Sequence, residues 1–186
     1  MAPETERVEL DGAVVIVRHL DSDDEAEACA RLMAASEPWI TLRRDYDDSL
    51  EILRDASREV YVAARVDAKE VVGFVIVSMR GAFVGYVQTV AVRDDWRGRG
   101  LGSRLIAFAE RRIFRDTPNV FICVSSFNDR ARALYERLGY QVVGELRDYV
   151  VQGHSEWLLR KSIAPLADWT TPRGPLAFEP RRSSAK

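Results

Sequence analysis

The order of apolar and polar residues divides the chain into short strands and amphipathic helices. Runs rich in β-branched and other apolar residues predict strands at VVIVR (14–18), VYVAARV (60–66), VVGFVIVSM (71–79), FVGYVQTVAV (83–92), VFICV (120–124), YQVVGEL (140–146) and EWLLRKS (156–162). Apolar residues three or four positions apart predict helices over 25–36, 46–56, 101–115 and 128–138. Asn128 is a suitable N-cap for the last helix, and Gly139 a suitable stop.

The connections between these elements indicate the fold class. Three-residue links at 67–69 and 80–82 predict antiparallel hairpins. The element order lacks the strict alternation of strand and helix that builds a parallel sheet. We therefore expect one α+β (mixed α/β) domain over residues 1–161, with helices on both faces of the sheet. Residues 162–186 are proline-punctuated and predict a C-terminal tail.

Composition narrows the class of protein. With 47% hydrophobic and 30% charged residues among 186, the chain fits a globular domain. Its longest apolar run is far shorter than the roughly 20 residues of a membrane helix, and its N-terminus does not resemble a signal peptide, so we expect a cytoplasmic protein without membrane contact. Two cysteines and two histidines, His19 and His154, predict no metal site. The net charge of −2 gives no reason to expect nucleic acid.

One segment departs from this ordinary composition. WRGRGLGSRL (96–105) places three glycines and several arginines between a strand and a helix, and residues 93–115 carry an excess of four positive charges. Bare amides at a helix N-terminus, together with nearby guanidinium groups, form a site for a phosphate. A tight turn that needs only glycine geometry is the alternative, and an RNA-binding surface is a further one.

Other phosphate-binding motifs fit this segment less well. The dinucleotide fingerprint GxGxxG requires a glycine where Ser103 stands, and the ATP-binding P-loop requires a lysine that is absent. The sequence Arg97-x-x-Gly100-x-Gly102 instead resembles the pyrophosphate loop of the GNAT superfamily of acyl-CoA N-acetyltransferases. The second element of that family, Asn-(x)6-Tyr-x-x-x-Gly-Phe/Tyr, is matched by Asn128, Tyr135, Gly139 and Tyr140.

The resemblance implies a fold and a donor. The fold is a mostly antiparallel twisted sheet of about seven strands and about four helices, in which strands 83–92 and 120–124 splay apart at the coenzyme site. The donor is acetyl-CoA. The residues that would bind it are Val90, Ala91, Val92, Arg97, Gly98, Arg99, Gly100, Leu101, Gly102, Ser103, Asn128 and Tyr135, with the Tyr135 hydroxyl as general acid.

The general base is harder to identify. Strand 83–92 has no carboxylate where many relatives carry a glutamate, and Gln88 cannot accept a proton. The nearest subfamily in pattern, the ribosomal-protein alanine N-acetyltransferases, has a glutamate at the position of Cys123. Glu37 and Glu156 are therefore the base candidates. Substrate contacts are expected from Gln88, Tyr149 and His154.

The acceptor is expected to be a primary amine of low pKa, because an α-amine near 7.8 is largely available as the neutral nucleophile whereas a lysine amine near 10.4 is not. A peptide N-terminus or an amino-acid-like metabolite fits this requirement. The alternative is a catalytically weak module that binds or senses acyl-CoA. Either a monomer or a homodimer is compatible with the sequence.

Overall fold

The computed structural model describes residues 5–170. Its strands are β1 (Glu6–Leu10), β2 (Ala13–His19), β3 (Arg58–Arg65), β4 (Val71–Ser78), β5 (Tyr86–Val92), β6 (Asn119–Ser125), β7 (Gln141–Leu146) and β8 (Glu156–Ser162). Its α-helices are α1 (Asp23–Ala34), α2 (Tyr46–Arg54), α3 (Leu101–Ile113) and α4 (Asp129–Arg137).

These eight strands form one sheet in the order β1-β2-β3-β4-β5-β6-β8-β7. Every neighbouring pair is antiparallel except β5 and β6, which run parallel. The mixed α/β class, the mostly antiparallel sheet and both predicted hairpins are therefore confirmed. Because β5 is followed by α3 and β6 by α4, the N-termini of both helices lie beyond the carboxyl ends of the two parallel strands.

Two apolar cores cover the two faces of the sheet. Residues of α1 and α2, among them Met33 and Leu53, pack with Phe74 and Ile76 of β4 on one face. Residues of α3, together with Tyr135 of α4, pack on the other face. Each helix presents one apolar stripe, which is the pattern that made them predictable from the sequence.

One strand was missed by the sequence analysis. The hairpin of β1 and β2 turns at Asp11 and Gly12, whose φ angles are +48° and +79°. An Asp-Gly pair with two positive φ angles is the strongest short-range signal of a two-residue hairpin. That signal is present in the sequence, but β1 itself has only two apolar residues, Val8 and Leu10, and was not recognised.

The helix ends differ slightly from the prediction. Ser22 caps α1 by accepting a hydrogen bond from the Glu25 amide at 3.3 Å, so α1 begins at Asp23 rather than at residue 25. The cap of α4 is Asn128, as predicted.

None of the helices within residues 5–170 is long and apolar enough to cross a bilayer. The tail predicted from residue 162 lies outside the described residues from 171 onward.

Candidate acyl-donor and amine site

The central feature of the site is a gap between β5 and β6. The two strands pair only at Tyr86–Phe121 and Val87–Ile122, although β5 continues to Val92. Beyond these pairs the strands diverge around a cavity of about 690 Å³. The predicted splaying of these two strands is therefore observed. It leaves one edge of β5 without a partner strand over the rest of its length.

Backbone groups of β5 face this gap. The Arg93 amide donates a hydrogen bond to the Val72 carbonyl of β4, so the amide and carbonyl of Val92, one residue earlier, face the opposite edge. The same alternation directs the backbone of Val90 into the gap and that of Ala91 towards β4. An extended chain with amide groups can therefore pair with Val90 and Val92 as a neighbouring strand would.

A β-bulge interrupts β5 immediately before these residues. Ile76 of β4 lies opposite Thr89, whereas Val77 lies opposite Val87, so Gln88 is an extra residue on β5. Bulges are common beside active sites, where they redirect a side chain. The Gln88 Oε1 atom is buried in the cavity wall and accepts no hydrogen bond from residues 5–170. It is an acceptor that a bound donor group would satisfy.

The glycine corner (residues 96–103) closes one end of the cavity. Gly98 and Gly100 have φ angles of +80° and +87°, and a Cβ atom on either would meet no atom within 4 Å. Gly100 caps α3 without a side-chain hydrogen bond. Within residues 5–170, no amide from Gly98 to Ser103 donates a hydrogen bond. The corner thus presents unpaired N–H groups at the positive end of a helix, beside open space.

The arginines of this region are mostly neutralised by folding. Arg97 donates from Nε to the Val92 carbonyl at 3.1 Å and pairs with Asp94 at 2.8 Å, while lining the cavity. Arg99 lies over the Trp96 ring, with its guanidinium carbon 5.3 Å from the ring centroid, and is not part of the cavity wall. Further ion pairs join Arg99 to Asp11, Arg93 to Glu70 and Asp95, Arg111 to Glu6, and Arg112 to Glu59 and Asp116.

The excess of positive charge in residues 93–115 is therefore mostly neutralised by ion pairs and does not form a basic surface. The other predicted donor contacts, Val90 to Val92, Gly98, Gly100, Gly102 and Ser103, line the cavity. Leu101, like Arg99, does not line the cavity. The Leu101 side chain is 1% exposed in the core, and only its backbone belongs to the corner.

Helix α4 and its N-cap supply the two remaining residues that were predicted to bind the donor. Asn128 caps the helix by accepting the Ala131 amide on Oδ1 at 3.2 Å. Its amide nitrogen makes no hydrogen bond within residues 5–170, and the residue lines the cavity. Tyr135, two turns further along, is 7% exposed and also lines the cavity.

The Tyr135 side chain is buried in the wall of the cavity. No group within residues 5–170 forms a hydrogen bond with its hydroxyl, so it is not a core tyrosine satisfied by a backbone carbonyl. Burial raises the pKa of Tyr135. The phenol is therefore protonated at neutral pH and can act as a donor but not as a base.

The segment between α1 and α2 forms one further wall of the cavity. Glu37 lines the cavity and is exposed; it accepts hydrogen bonds from the Thr41 amide at 3.2 Å and the Thr41 hydroxyl at 3.1 Å. Arg44 lines the same wall, is half-buried and has no ion pair within residues 5–170. The other arginines of that range without a partner are exposed, so Arg44 differs from them.

Another wall of the cavity comes from β8 and the hairpin before it. Glu156 lines the cavity, is 6% exposed and accepts a hydrogen bond from Ser125 Oγ at 2.5 Å. Burial raises the pKa of Glu156, and the hydrogen bond from Ser125 opposes that rise. Tyr149 lies at the rim and is 65% exposed. His154 does not line the cavity; its ring contacts Phe127, with centroids 5.0 Å apart.

Two residues of the site were missed by the sequence analysis. Ser125 shares a face of β6 with Cys123, and alternation along that strand is the only signal that could have suggested it. Arg44 is one of many arginines in the chain, and nothing in its neighbourhood distinguishes it from Arg43. Ser125 acquires its place through its hydrogen bond to Glu156, and Arg44 through a cavity whose walls come from segments distant in sequence.

Comparisons with known proteins identify the family. Residues 25–140 match the family described as acetyltransferase (GNAT) family. An uncharacterized protein of Mycobacterium leprae is 28% identical over 167 residues, which cover 86% of this chain and 44% of that protein. The chain thus spans less than half the length of that relative. The N-alpha-acetyltransferase RimI of Mycobacterium tuberculosis is 30% identical over 145 residues, covering 76% of this chain and 86% of that protein.

A solved structure shares the fold. The aminoglycoside 6'-N-acetyltransferase complexed with coenzyme A has a TM-score of 0.64 at 18% identity, covering 80% of this chain and 97% of the other. The family expected from the two sequence motifs is confirmed. The chain belongs to the acetyltransferase (GNAT) family, a family of acyl-CoA-dependent N-acetyltransferases.

Proposed function

We propose that this protein transfers an acetyl group from acetyl-CoA to a primary amine by direct attack in a ternary complex. The observation that carries the proposal is the glycine corner, whose amides from Gly98 to Ser103 are unpaired within residues 5–170 and open onto the cavity. A diphosphate supplies the acceptors that these amides lack. The related aminoglycoside acetyltransferase holds coenzyme A within the same fold.

The remaining donor contacts follow the gap between β5 and β6. The pantetheine arm carries amide groups, which match the free backbone edge at Val90 and Val92. The free amide nitrogen of Asn128 is available further along. Arg97 adds a guanidinium group at the diphosphate end. In this arrangement, a backbone amide of β5 also stabilises the negative charge that develops on the thioester oxygen.

The chemistry requires an acid and a proton acceptor. As the amine attacks the thioester carbon, the carbon–sulfur bond breaks and the departing sulfur takes a proton from the Tyr135 hydroxyl. The acceptor of the proton that the amine loses is one of the two carboxylates of the cavity, Glu37 or Glu156. Neither β5 nor β6 carries a carboxylate of its own.

The acceptor we propose is an amine of low pKa, such as a peptide N-terminus or an amino-acid-like metabolite. At pH 7.4 about one lysine amine in a thousand is neutral, which costs roughly 4 kcal/mol, whereas an α-amine near pKa 7.8 costs less than about 1 kcal/mol. The similarity to an N-alpha-acetyltransferase supports this class. Arg44, half-buried and without an ion pair within residues 5–170, offers a place for an anionic group of the acceptor.

A mass-shift screen tests the proposal. The purified chain is incubated with acetyl-CoA and a panel of α-amino acids, peptides, lysine side-chain amines and polyamines. We expect an increase of about 42 Da, the mass of an acetyl group less that of the hydrogen it replaces, on α-amines in preference to the other amines. Equal or better turnover on lysine side chains or polyamines would contradict the acceptor class. Binding of acetyl-CoA without turnover of any amine would favour the acyl-CoA-sensing module instead.

A further inference from the structure

The carboxylate of Glu156 lies in the wall of the cavity, and binding of the acyl donor does not account for it. The residue begins β8 and lies directly opposite Ser125, the last residue of β6. It is therefore at the carboxyl end of β6, on the side where β5 and β6 have separated. Its side chain is 6% exposed and reaches the cavity wall.

This carboxylate is buried without a counter-ion. The Ser125 hydroxyl donates to Oε1 at 2.5 Å, and no other hydrogen bond or ion pair within residues 5–170 involves the side chain. The Oε2 atom is therefore free to meet a ligand in the cavity. A buried carboxylate is normally paired with a cation, because burial without one disfavours the charged form. A bound ammonium group would be such a cation.

The groups around Glu156 do not supply that cation. Its titratable neighbours are Cys123 on β6 and Tyr86 on β5, and Tyr149 of the preceding hairpin lies near Tyr86. Burial raises the pKa of both Tyr86 and Cys123, so these two groups are neutral at pH 7. No lysine or arginine within residues 5–170 pairs with the carboxylate.

The other base candidate, Glu37, has different surroundings. Both of its carboxylate oxygens accept hydrogen bonds from Thr41, and the residue is exposed. These bonds close a turn at the end of α1, which is an ordinary local role for an acidic residue. Burial raises the pKa of Glu156, so its carboxylate takes up a proton at a higher pH than an ordinary glutamate does.

We propose that Glu156, held in place by Ser125, is the general base that accepts the proton of the attacking amine. The inference rests on the proposed acetyltransferase function. The bound ammonium group gives one proton to Glu156 Oε2, and the neutral nitrogen then forms its bond to the acetyl carbon. The nitrogen loses its second proton as the carbon–sulfur bond breaks and Tyr135 protonates the sulfur. That second proton restores Tyr135, and Glu156 releases its proton to water.

Gln88 fits the same arrangement as a positioning residue. Its buried Oε1 has no donor within residues 5–170 and lines the same cavity at the bulge of β5. A second N–H of the amine satisfies it, which directs the nitrogen lone pair towards the thioester. Ser125 is likewise a positioning residue, since it acts through Glu156 and fixes one of its two oxygens.

Steady-state kinetics of the full chain with an α-amine test the proposal. We expect E156Q, which keeps the size of the side chain and an acceptor for Ser125, to lower kcat about 100-fold. This is the low end of the range for general bases, because a low-pKa amine is partly neutral already. The variant S125A removes the hydrogen bond that lowers the pKa of Glu156. We therefore expect the acidic limb of the pH profile of kcat to move to higher pH.

The variant E37Q tests the competing candidate, and we expect it to keep the wild-type midpoint of that limb. If E37Q moves the limb while E156Q and S125A keep the wild-type profile, Glu156 is not the base. This result differs from a failure of the proposed function, in which the wild-type protein itself acetylates no amine.

Urea unfolding tests the proposed role of Glu156 without requiring turnover. Burial gives the folded protein a proton on Glu156 at pH values where the unfolded chain has lost it. The contribution of Glu156 to stability is therefore complete below its unfolded pKa and is lost as the pH rises through its folded pKa. We expect the free energy of unfolding of E156Q, measured in urea, to increase relative to that of wild type as the pH rises above the unfolded pKa of Glu156. A difference in the free energy of unfolding between E156Q and wild type that stays constant with pH would overturn the proposal.

Discussion

The two halves that we propose for the cavity, one for the acyl donor and one for the amine acceptor, are built in different ways. The donor half consists of the glycine corner, the free edge of β5 and the N-terminus of α4, and most of its contacts are backbone groups. The acceptor half consists of the side chains of Glu37, Arg44, Tyr149 and Glu156, which come from two segments separated by more than half of the chain. One half is local in sequence, and the other exists only in the folded protein.

This difference has a physical basis. Amides at a helix N-terminus bind a diphosphate whatever the neighbouring side chains are, provided that glycine leaves room for it. We propose that the acceptor half recognises its amine through charge and through hydrogen bonds from side chains, so we expect substitutions there to change which amine is bound. A shared donor with variable acceptors requires this division of the cavity.

The largest effect is expected at Tyr135, which is buried and lines the cavity. Y135F removes the proton donor for the departing sulfur, and we expect turnover to fall by one to three orders of magnitude while coenzyme affinity stays nearly the same. The matched control is Y140F: Tyr140 is buried beside Tyr135, with ring centroids 6.0 Å apart, but does not line the cavity. Single-turnover kinetics should separate the two variants. Equal turnover in Y135F and Y140F would remove Tyr135 from the mechanism.

A smaller effect, confined to the donor half, is expected at Gly100. A side chain in G100V enters the open space beside the unpaired amides and disfavours the φ angle of +87°. We expect coenzyme A affinity to fall about tenfold or more, which corresponds to about 1.4 kcal/mol.

The control for backbone strain is G81V. Gly81 has a φ angle of +91° and equally open surroundings, but it lies in the hairpin between β4 and β5 and outside the cavity wall. We expect G81V to lose stability like G100V and to bind coenzyme A normally in a calorimetric titration. A parallel loss of affinity in both variants would show that strain, and not the cavity, is responsible.

The smallest effect is expected at Arg44, in the acceptor half. R44Q removes a cavity guanidinium group, so we expect KM for acceptors with an anionic group to rise about tenfold, with little change for uncharged amines. R43Q is the control, because Arg43 is the neighbouring arginine and lies outside the cavity wall. A KM that rises equally for charged and uncharged acceptors would contradict an anion-binding role.

The same division explains how much of the site could be predicted. The glycine corner, Asn128 and Tyr135 stand at fixed spacings on elements with clear periodicity, so the donor half and the mixed sheet were readable. Strand β1 was missed because its alternation is weak. Ser125 and Arg44 were missed because nothing local marks them. Glu156 was one of two candidates in the sequence, and only its burial opposite Ser125 separates it from Glu37.

Hydrogen–deuterium exchange with and without coenzyme A tests most directly whether the gap between β5 and β6 seats the acyl donor. We expect the coenzyme to slow exchange in peptides that cover residues 88–92 and 98–103, where amides face the cavity. Exchange in β2, which lies three strands away from β5 in the sheet, should not change. Coenzyme binding that leaves residues 88–103 unprotected would contradict the account.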